Sequence, residues 1–386
     1  QSPIRVGVIS PHLHNHNGSI WCLGWLEGLA DRPEFSIYSY NIADREDSGT
    51  ERFAALGAYR HLPLRADDPE PMLQQIIDDR LDLLIYTDIG MHPASKVVSV
   101  LQLAPVQALG WGHPITSGSR TIQYFFGAEG MEPPGNEAHY SEALIRLPAT
   151  GLNYTTPVAI HDGQELYQRL GLPRDRPLLL STQSSFKYLP RNDWTFAEIA
   201  ARHREALIIL IGHMGHGSIA QRLYERLRPH FEHRGLDIDQ HLRVLPRLDY
   251  GDYMGLFAIG HHVLDTIDWN GGNSSLQAFS LDCPVLTCPT TFMRGRHTVA
   301  MLRELEIEDL IAEDREAYVE TSVRLLQDGD FYREVRQRIQ ERKQRLFDDQ
   351  RVAEAFRFRV EEICRQAIDN LQGMESSSAR ELAAVT

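Results

Sequence analysis

Short apolar runs alternate with amphipathic stretches along most of this chain. Residues 4–10 read as a buried strand, and residues 20–30 then repeat their apolar positions at helical spacing. The rhythm continues with a strand at 35–40, a helix at 49–58, a strand at 59–62, a helix at 71–79 and the apolar strand 81–86. Strands are expected again at 106–110 and 124–128, and 141–147 closes the first half. Strands alternating with helices at this spacing predict a parallel, doubly wound sheet.

From residue 148 to 177 the chain turns polar and is punctuated by Gly and Pro, with one helical piece at 164–170. A linker is therefore expected at 151–176, between an N-terminal domain at 1–150 and a second domain at 177–345. The second half repeats the pattern: strand 177–181, helix 193–202, strand 207–211, helix 218–228, strand 243–246 and helix 250–259. A charged helix follows to about 371, with 346–371 as a C-terminal helix, and the small polar tail 372–386 reads as unstructured.

The central unit of the second half is 261–298. An apolar strand ending in Asp265 leads to the turn Asn270-Gly271-Gly272-Asn273, then Ser274 and Ser275 open a helix, and a strand at 284–288 follows. In such a βαβ unit ligands bind beyond the carboxyl ends of the strands. Amides from Gly272 to Ser275 would lie at a helix N-terminus, a site suited to a diphosphate. The plain alternative is ordinary capping and turn chemistry by Asn, Ser and Gly. Arg294 and Arg296 favour the anion site, because they return positive charge to the same sheet edge.

Composition narrows the partners. The 386 residues carry a net charge of −14, which argues against a general nucleic-acid or anionic-membrane binder, so any phosphate binding is local. Four scattered cysteines without a CxxC pair fit a reducing, cytoplasmic compartment. No apolar run reaches the length of a membrane span, and no signal peptide precedes the first strand. The abrupt start suggests a piece of something longer. No GxGxxG follows the first strand, so dinucleotide binding of the usual kind is not indicated.

Candidate chemistry falls on loops at strand ends, where ligand contacts concentrate. Lys187, after the polar turn Gln183-Ser184-Ser185-Phe186, could neutralise a diphosphate leaving group; a solvated surface lysine is the alternative. His16, or its neighbours His12 and His14, could serve as general base. Three alternating histidines in a loop are weak evidence for zinc, and no metal is expected. His113 and Pro114 lie on the loop 111–118 with Thr116 and suit either an acceptor contact or a tight turn. His213, His216, His261 and His262 read as structural or exposed. Asp265 and Asp268 flank the strand end, and Asp265 is expected to bond neighbouring backbone rather than a divalent ion.

Taken together, the order VGVIS, HNHNGS, LAPVQALGWGHPITSGS, the Phe186-Lys187 loop, LDT, NGGNSS, DCPVLTCP and RGRH resembles the catalytic region of the O-GlcNAc transferase and SPINDLY-like glycosyltransferases, over about residues 5–340. The Gly112-His113-Pro114 step is also similar to the bacterial protein N-glucosyltransferases. The resemblance implies a GT-B fold, two Rossmann-like doubly wound domains facing each other across a cleft, and a metal-independent, inverting transfer from a nucleotide sugar to a protein side chain without a cofactor. By the same resemblance His16 is the first-loop histidine near the reacting groups, and Lys187 holds the diphosphate. Asn273, Ser274 and Ser275 stand where the family commonly has His-Thr-Thr, and Arg296 matches an arginine of the following loop.

The donor set implied is Gln183, Ser184, Lys187, Tyr253, Gly272, Asn273, Ser274, Ser275 and Arg296. His113, Pro114 and Thr116 form the acceptor side. Two departures matter. The family's ribose-holding Asp is Ala278 here, and its basic residues before the central strand are Tyr250, Tyr253 and Leu256, of which Tyr253 can stack on a base. A UDP-sugar is favoured over a GDP-sugar, with upstream tetratricopeptide repeats expected in the longer protein. The alternatives are a GT-B enzyme with a glycan or small-molecule acceptor, and a degenerate transferase acting as a binding or scaffold protein.

Overall fold

The computed structural model describes residues 2–157, 163–212 and 214–385, the side chains at 163, 164 and from 371 onward excepted. His213 therefore lies outside the described residues. The chain divides into two compact units. The first comprises 1–129, 133–154 and 348–386, and the second 130–132 and 155–347.

The first unit carries seven strands: β1 (Ile4–Ser10), β2 (Phe35–Asn41), β3 (Ala58–His61), β4 (Leu83–Tyr86), β5 (Val106–Leu109), β6 (Tyr124–Ala128) and β7 (Ala143–Leu147). They pair in the order β3-β2-β1-β4-β5-β6-β7, parallel throughout. β4 and β5 are buried at every position, which is why they read as unbroken apolar runs. The exception is Gln107, whose amide accepts from Leu103 N at 2.8 Å and donates to the carbonyls of Leu101 and Thr121 at 3.0 Å each. The LAPVQ motif is thus a buried polar tie between loops.

The second unit has β8 (Leu178–Ser181), β9 (Leu207–Ile211), β10 (Leu242–Leu245), β11 (His262–Leu264) and β12 (Val285–Leu286), parallel in the order β10-β9-β8-β11-β12. One core packs Leu179, Ile208, Leu210, Leu264 and Leu286 of the sheet against Phe196, Leu223, Leu227 and Val319 of the flanking helices.

Several boundaries differ from the sequence reading. Residues 163–176 are no free linker: Tyr167 donates from its hydroxyl to Ile259 O at 3.4 Å, and Arg169 pairs with Asp252. The segment belongs to the second unit. Of the tail expected to be unstructured at 372–386, residues 372–385 belong to the helix Gln350–Val385, and Thr386 lies outside the described residues. A short helix, Pro93–Val98, is absent from the sequence reading because its cap is unusual: the His92 imidazole accepts from Ala94 N at 3.1 Å, with Pro93 in the first turn.

The helix Gln350–Val385 packs on the first unit through Phe356. Its ring stacks on Trp25 at 4.6 Å and tilts against Phe126 at 5.1 Å, and all three side chains are fully buried. Phe356→Ala would leave an aromatic-sized cavity, costing about 3–5 kcal/mol. Denaturation should show the first unit unfolding earlier, while probes in the second unit keep their midpoint. A single unshifted transition would contradict this assignment.

Candidate functional site

In each sheet the strand order reverses at one place, and there the loops leaving adjacent strands diverge to form a crevice. These switch points are β1/β4 in the first unit and β8/β11 in the second. Most of the sequence-predicted residues are found at one or the other.

In the second unit, β8 leads through Thr182, Gln183 and Ser184 into a short 3-10 turn, Ser185–Lys187. The Lys187 ammonium donates to Gln183 Oε1 at 2.8 Å, and Gln183 Nε2 donates to Ser274 Oγ. Lys187 and the glycine turn are therefore one step apart, as the anion-site reading requires. Ser274 lies in the first turn of the helix Asn273–Ser280, whose N-cap Gly272 supplies no side-chain cap. A Cβ at Gly271 would lie 2.3 Å from Ser274 Oγ, 2.7 Å from Gln183 Nε2 and 2.8 Å from Ser275 Oγ. The glycine leaves room for these three side-chain ends to meet over the turn.

Asp265 sits beneath the turn, fully buried. Its carboxylate accepts from Gly271 N at 2.8 Å, Thr298 Oγ1 at 2.6 Å and Thr287 Oγ1 at 3.1 Å. The expectation that it bonds neighbouring backbone is met, but it does more: it is the nearby negative charge that acts on Lys187. Burial pushes the Asp265 carboxyl up to about 6, against the pull of those hydrogen bonds and of Lys187. Lys187 is half-buried, and desolvation lowers it to about 8, with Asp265 opposing. Burial and the Lys187 charge together lower His297 to about 3, so its imidazole is neutral beside the lysine.

Other donor-set residues divide. Tyr253 donates from its hydroxyl to Thr182 Oγ1 at 3.3 Å and so stands beside the same loop. Ser275 Oγ donates to Gly271 O at 3.1 Å and lies 2.9 Å from Thr298 Oγ1, a bracing role. Ser184 supplies the carbonyl that accepts from Lys187 N at 2.9 Å. Arg296 departs from expectation: its guanidinium donates to Met131 O and Thr290 O, each at 3.1 Å, which ties down two loops. Arg294 lies over the Phe292 ring at 4.4 Å. Asp268 is held by Arg191 through paired contacts and by Asn192 at 3.0 Å, which fixes the loop before Trp269.

In the first unit the loop after β1 brings its histidines together. The rings of His12 and His16 stack at 4.1 Å, and His14 lies 5.3 Å from His16. Burial, then the neighbouring imidazoles, lowers His12 to about 3. His16 Nδ1 accepts from Gly18 N at 3.0 Å. That lone pair is engaged, which weakens the general-base reading of His16. The loop 111–118 lies alongside: a Cβ at Gly112 would sit 2.7 Å from Gly18 O and 2.8 Å from Trp21 Nε1. His113 approaches Gly90, where a Cβ would meet its ring at 3.2 Å. Pro114 is buried in that loop. Thr116 is a structural anchor, donating to Glu142 Oε2 at 2.7 Å beside Ser117 N, which donates to Oε1 at 2.8 Å.

Two residues at this switch point escape the sequence reading. Asp88, after β4, is fully buried; Thr87 Oγ1 and Ser10 Oγ lie 3.3 and 3.4 Å from its Oδ1. Burial raises it to about 6. His92 stands edge-on to His12 at 6.0 Å. The available signal is a polar Thr87-Asp88 step directly after an apolar strand. Among the described residues no three His, Cys, Asp or Glu side chains gather as metal ligands, and no helix is long and apolar enough to cross a membrane.

Residues 258–356 match the family model "Glycosyl transferase family 41". The chain is 24% identical over 345 residues to the probable UDP-N-acetylglucosamine–peptide N-acetylglucosaminyltransferase SPINDLY of Solanum lycopersicum, covering 85% of this chain and 35% of that protein. It is 25% identical over 256 residues to the UDP-glucose:protein N-beta-glucosyltransferase of Actinobacillus pleuropneumoniae, 65% of this chain and 39% of that one. The chain thus spans about a third of the length of the SPINDLY relatives it matches. Among solved structures, a lysine-to-methionine mutant of the Thermobaculum terrenum O-GlcNAc transferase superposes with a TM-score of 0.78 at 23% identity, over 96% of this chain and 69% of that one. Sucrose-phosphate synthase from Thermosynechococcus elongatus gives 0.59 at 14% identity, over 95% and 100%. With two parallel-sheet units of the GT-B kind and a match to the family 41 model across the glycine turn, the chain is similar to the O-GlcNAc transferase and SPINDLY-like protein glycosyltransferases.

Proposed function

We propose that this chain transfers a sugar from a nucleotide diphosphate donor, a UDP-sugar before a GDP-sugar, to a side chain of a protein or peptide, with inversion and without a metal. The observation that carries the reading is the Lys187–Gln183–Ser274 bracket on a glycine turn at a helix N-terminus. As the acceptor atom bonds the anomeric carbon and its proton passes to water, the bond to the diphosphate oxygen breaks and negative charge grows there. A lysine ammonium and helix amides stabilise that charge without a metal cation. Donor binding belongs to the second unit's switch point, and the acceptor contacts to the His16 and His113 loops of the first. The SPINDLY and N-glucosyltransferase relatives carry peptide and protein acceptors in their names, which supports a polypeptide here. Four buried, unpaired cysteines fit the cytoplasm, and upstream tetratricopeptide repeats would supply acceptor binding.

The test is to incubate the protein with UDP-GlcNAc, UDP-glucose or GDP-fucose, a bacterial lysate as acceptor and EDTA, reading released nucleotide and peptide mass increments. Sugar-modified peptides in EDTA support the proposal. Release of nucleotide without modified peptides moves the acceptor to a glycan or small molecule, and absence of both, with no UDP binding by calorimetry, makes the chain a scaffold.

The electrostatics give a second check. Lys187 titrates near 8 in the unliganded protein, and a diphosphate beside it favours the charged form. Binding of UDP between pH 8 and 9 should therefore take up a proton, because Asp265 is already ionised there. Affinity should fall as pH rises through that window. Calorimetry in two buffers of different ionisation enthalpy measures the uptake; none at pH 8.5 would separate Lys187 from the diphosphate.

A further inference from the structure

The histidine loop of the first unit is braced by a side chain that no motif singled out. Trp21 is buried in the short 3-10 turn Ile20–Cys22, and its Nε1 donates to Gly18 O at 3.0 Å. Gly18 N in turn donates to His16 Nδ1 at 3.0 Å. The indole stacks on Trp111 at 5.3 Å and meets Trp25 edge-on at 4.9 Å. Gly110 and Gly112 admit it, since a Cβ at either would fall within 2.8 Å of its ring atoms.

These contacts form one line of cause. An amide that donates to Nδ1 excludes a proton from that nitrogen, so the neutral imidazole carries its hydrogen on Nε2. The aim of that amide depends on the turn around Gly18, which Ser19 N and Ile20 N close on His16 O at 3.2 and 3.1 Å and whose Gly18 carbonyl, in the next peptide unit, is held by Trp21. The same indole lies under the loop that carries His113. We propose that Trp21 is a positioning residue for sugar transfer: through Gly18 it locks His16 as the Nε2–H tautomer, making His16 a hydrogen-bond donor to the reacting groups and not their base. The inference rests on the proposed function for its catalytic half, while the tautomer half stands on the first unit alone.

The test uses the full chain labelled with 15N-histidine, the His16 signals being identified by their loss in His16→Gln. In the unmodified protein, without donor, long-range 1H–15N spectra should show His16 as the Nε2–H tautomer. Trp21→Phe removes the indole donor. Because a smaller ring can disturb a buried site, a second variant replaces the Trp21 indole with benzothiophene, which keeps the shape and lacks the N–H. Both should give mixed His16 tautomers and release UDP from UDP-GlcNAc or UDP-glucose about tenfold more slowly, with UDP affinity unchanged within about twofold. An unmixed Nε2–H signal in the benzothiophene variant overturns the lock. So does an Nδ1–H signal in the unmodified protein, and mixed tautomers with undiminished UDP release overturn the positioning role. Failure of the unmodified protein to bind UDP would instead count against the proposed function and leave the tautomer result standing.

Discussion

Lys187→Ala is expected to slow donor turnover by about 10²- to 10³-fold, the range seen when one preorganised donor to a developing oxyanion is removed. The reason is local. Within the Gln183–Ser274 bracket Lys187 is the ammonium, and it donates to an amide oxygen that a diphosphate oxygen can replace. Its low proton affinity shows that the protein holds the cation without fully neutralising it. The variant should fold, because Lys187 is only half-buried and the sheet beneath is built from Leu178, Leu179 and Leu180. Rates of UDP release alongside thermal midpoints decide the matter: an unchanged rate in a folded variant removes Lys187 from the chemistry.

Gly271→Ala should have an effect of similar size by another route. Its Cβ would press on Ser274 Oγ, Gln183 Nε2 and Ser275 Oγ, so these side-chain ends must swing aside. That movement breaks the Gln183–Ser274 bond and takes Ser275 Oγ from the Gly271 carbonyl, leaving buried polar groups short of partners. UDP affinity should fall by about 100-fold or more, equivalent to about 3 kcal/mol. Stability should fall as well, which distinguishes this variant from Lys187→Ala. Calorimetry and a melting curve measure the two together, and wild-type UDP affinity would mean that the turn does not contact the donor.

Much of this was legible in the residues because the local rules agree with the fold. β4, β5, β8 and β9 are apolar at nearly every position, as strands covered on both faces must be, and the loops between them hold the glycines and polar residues. The glycine turn was legible for the same reason, since a strand, a turn and a helix in that order leave few uses for Gly271 and Gly272. What was not legible depends on distant partners. Arg296 looks like an anion ligand in sequence, yet it donates to the carbonyls of Met131 and Thr290, and no spacing rule announces that pairing. Trp21 reads as a core residue, and its function lies in one indole hydrogen. Thr116 looks like a loop hydroxyl open to an acceptor until the Glu142 carboxylate is seen to hold it.

The return of the helix Gln350–Val385 to the first unit has a consequence for biosynthesis. The sheet of that unit leaves the ribosome early, but Trp25 and Phe126 receive Phe356 only after the whole of the second unit has been made. The later unit is thus the earlier one to be complete, and the nascent first unit must wait with two large rings uncovered. Translation halted near residue 347 would leave one sound half and one sticky half, a natural client for chaperones.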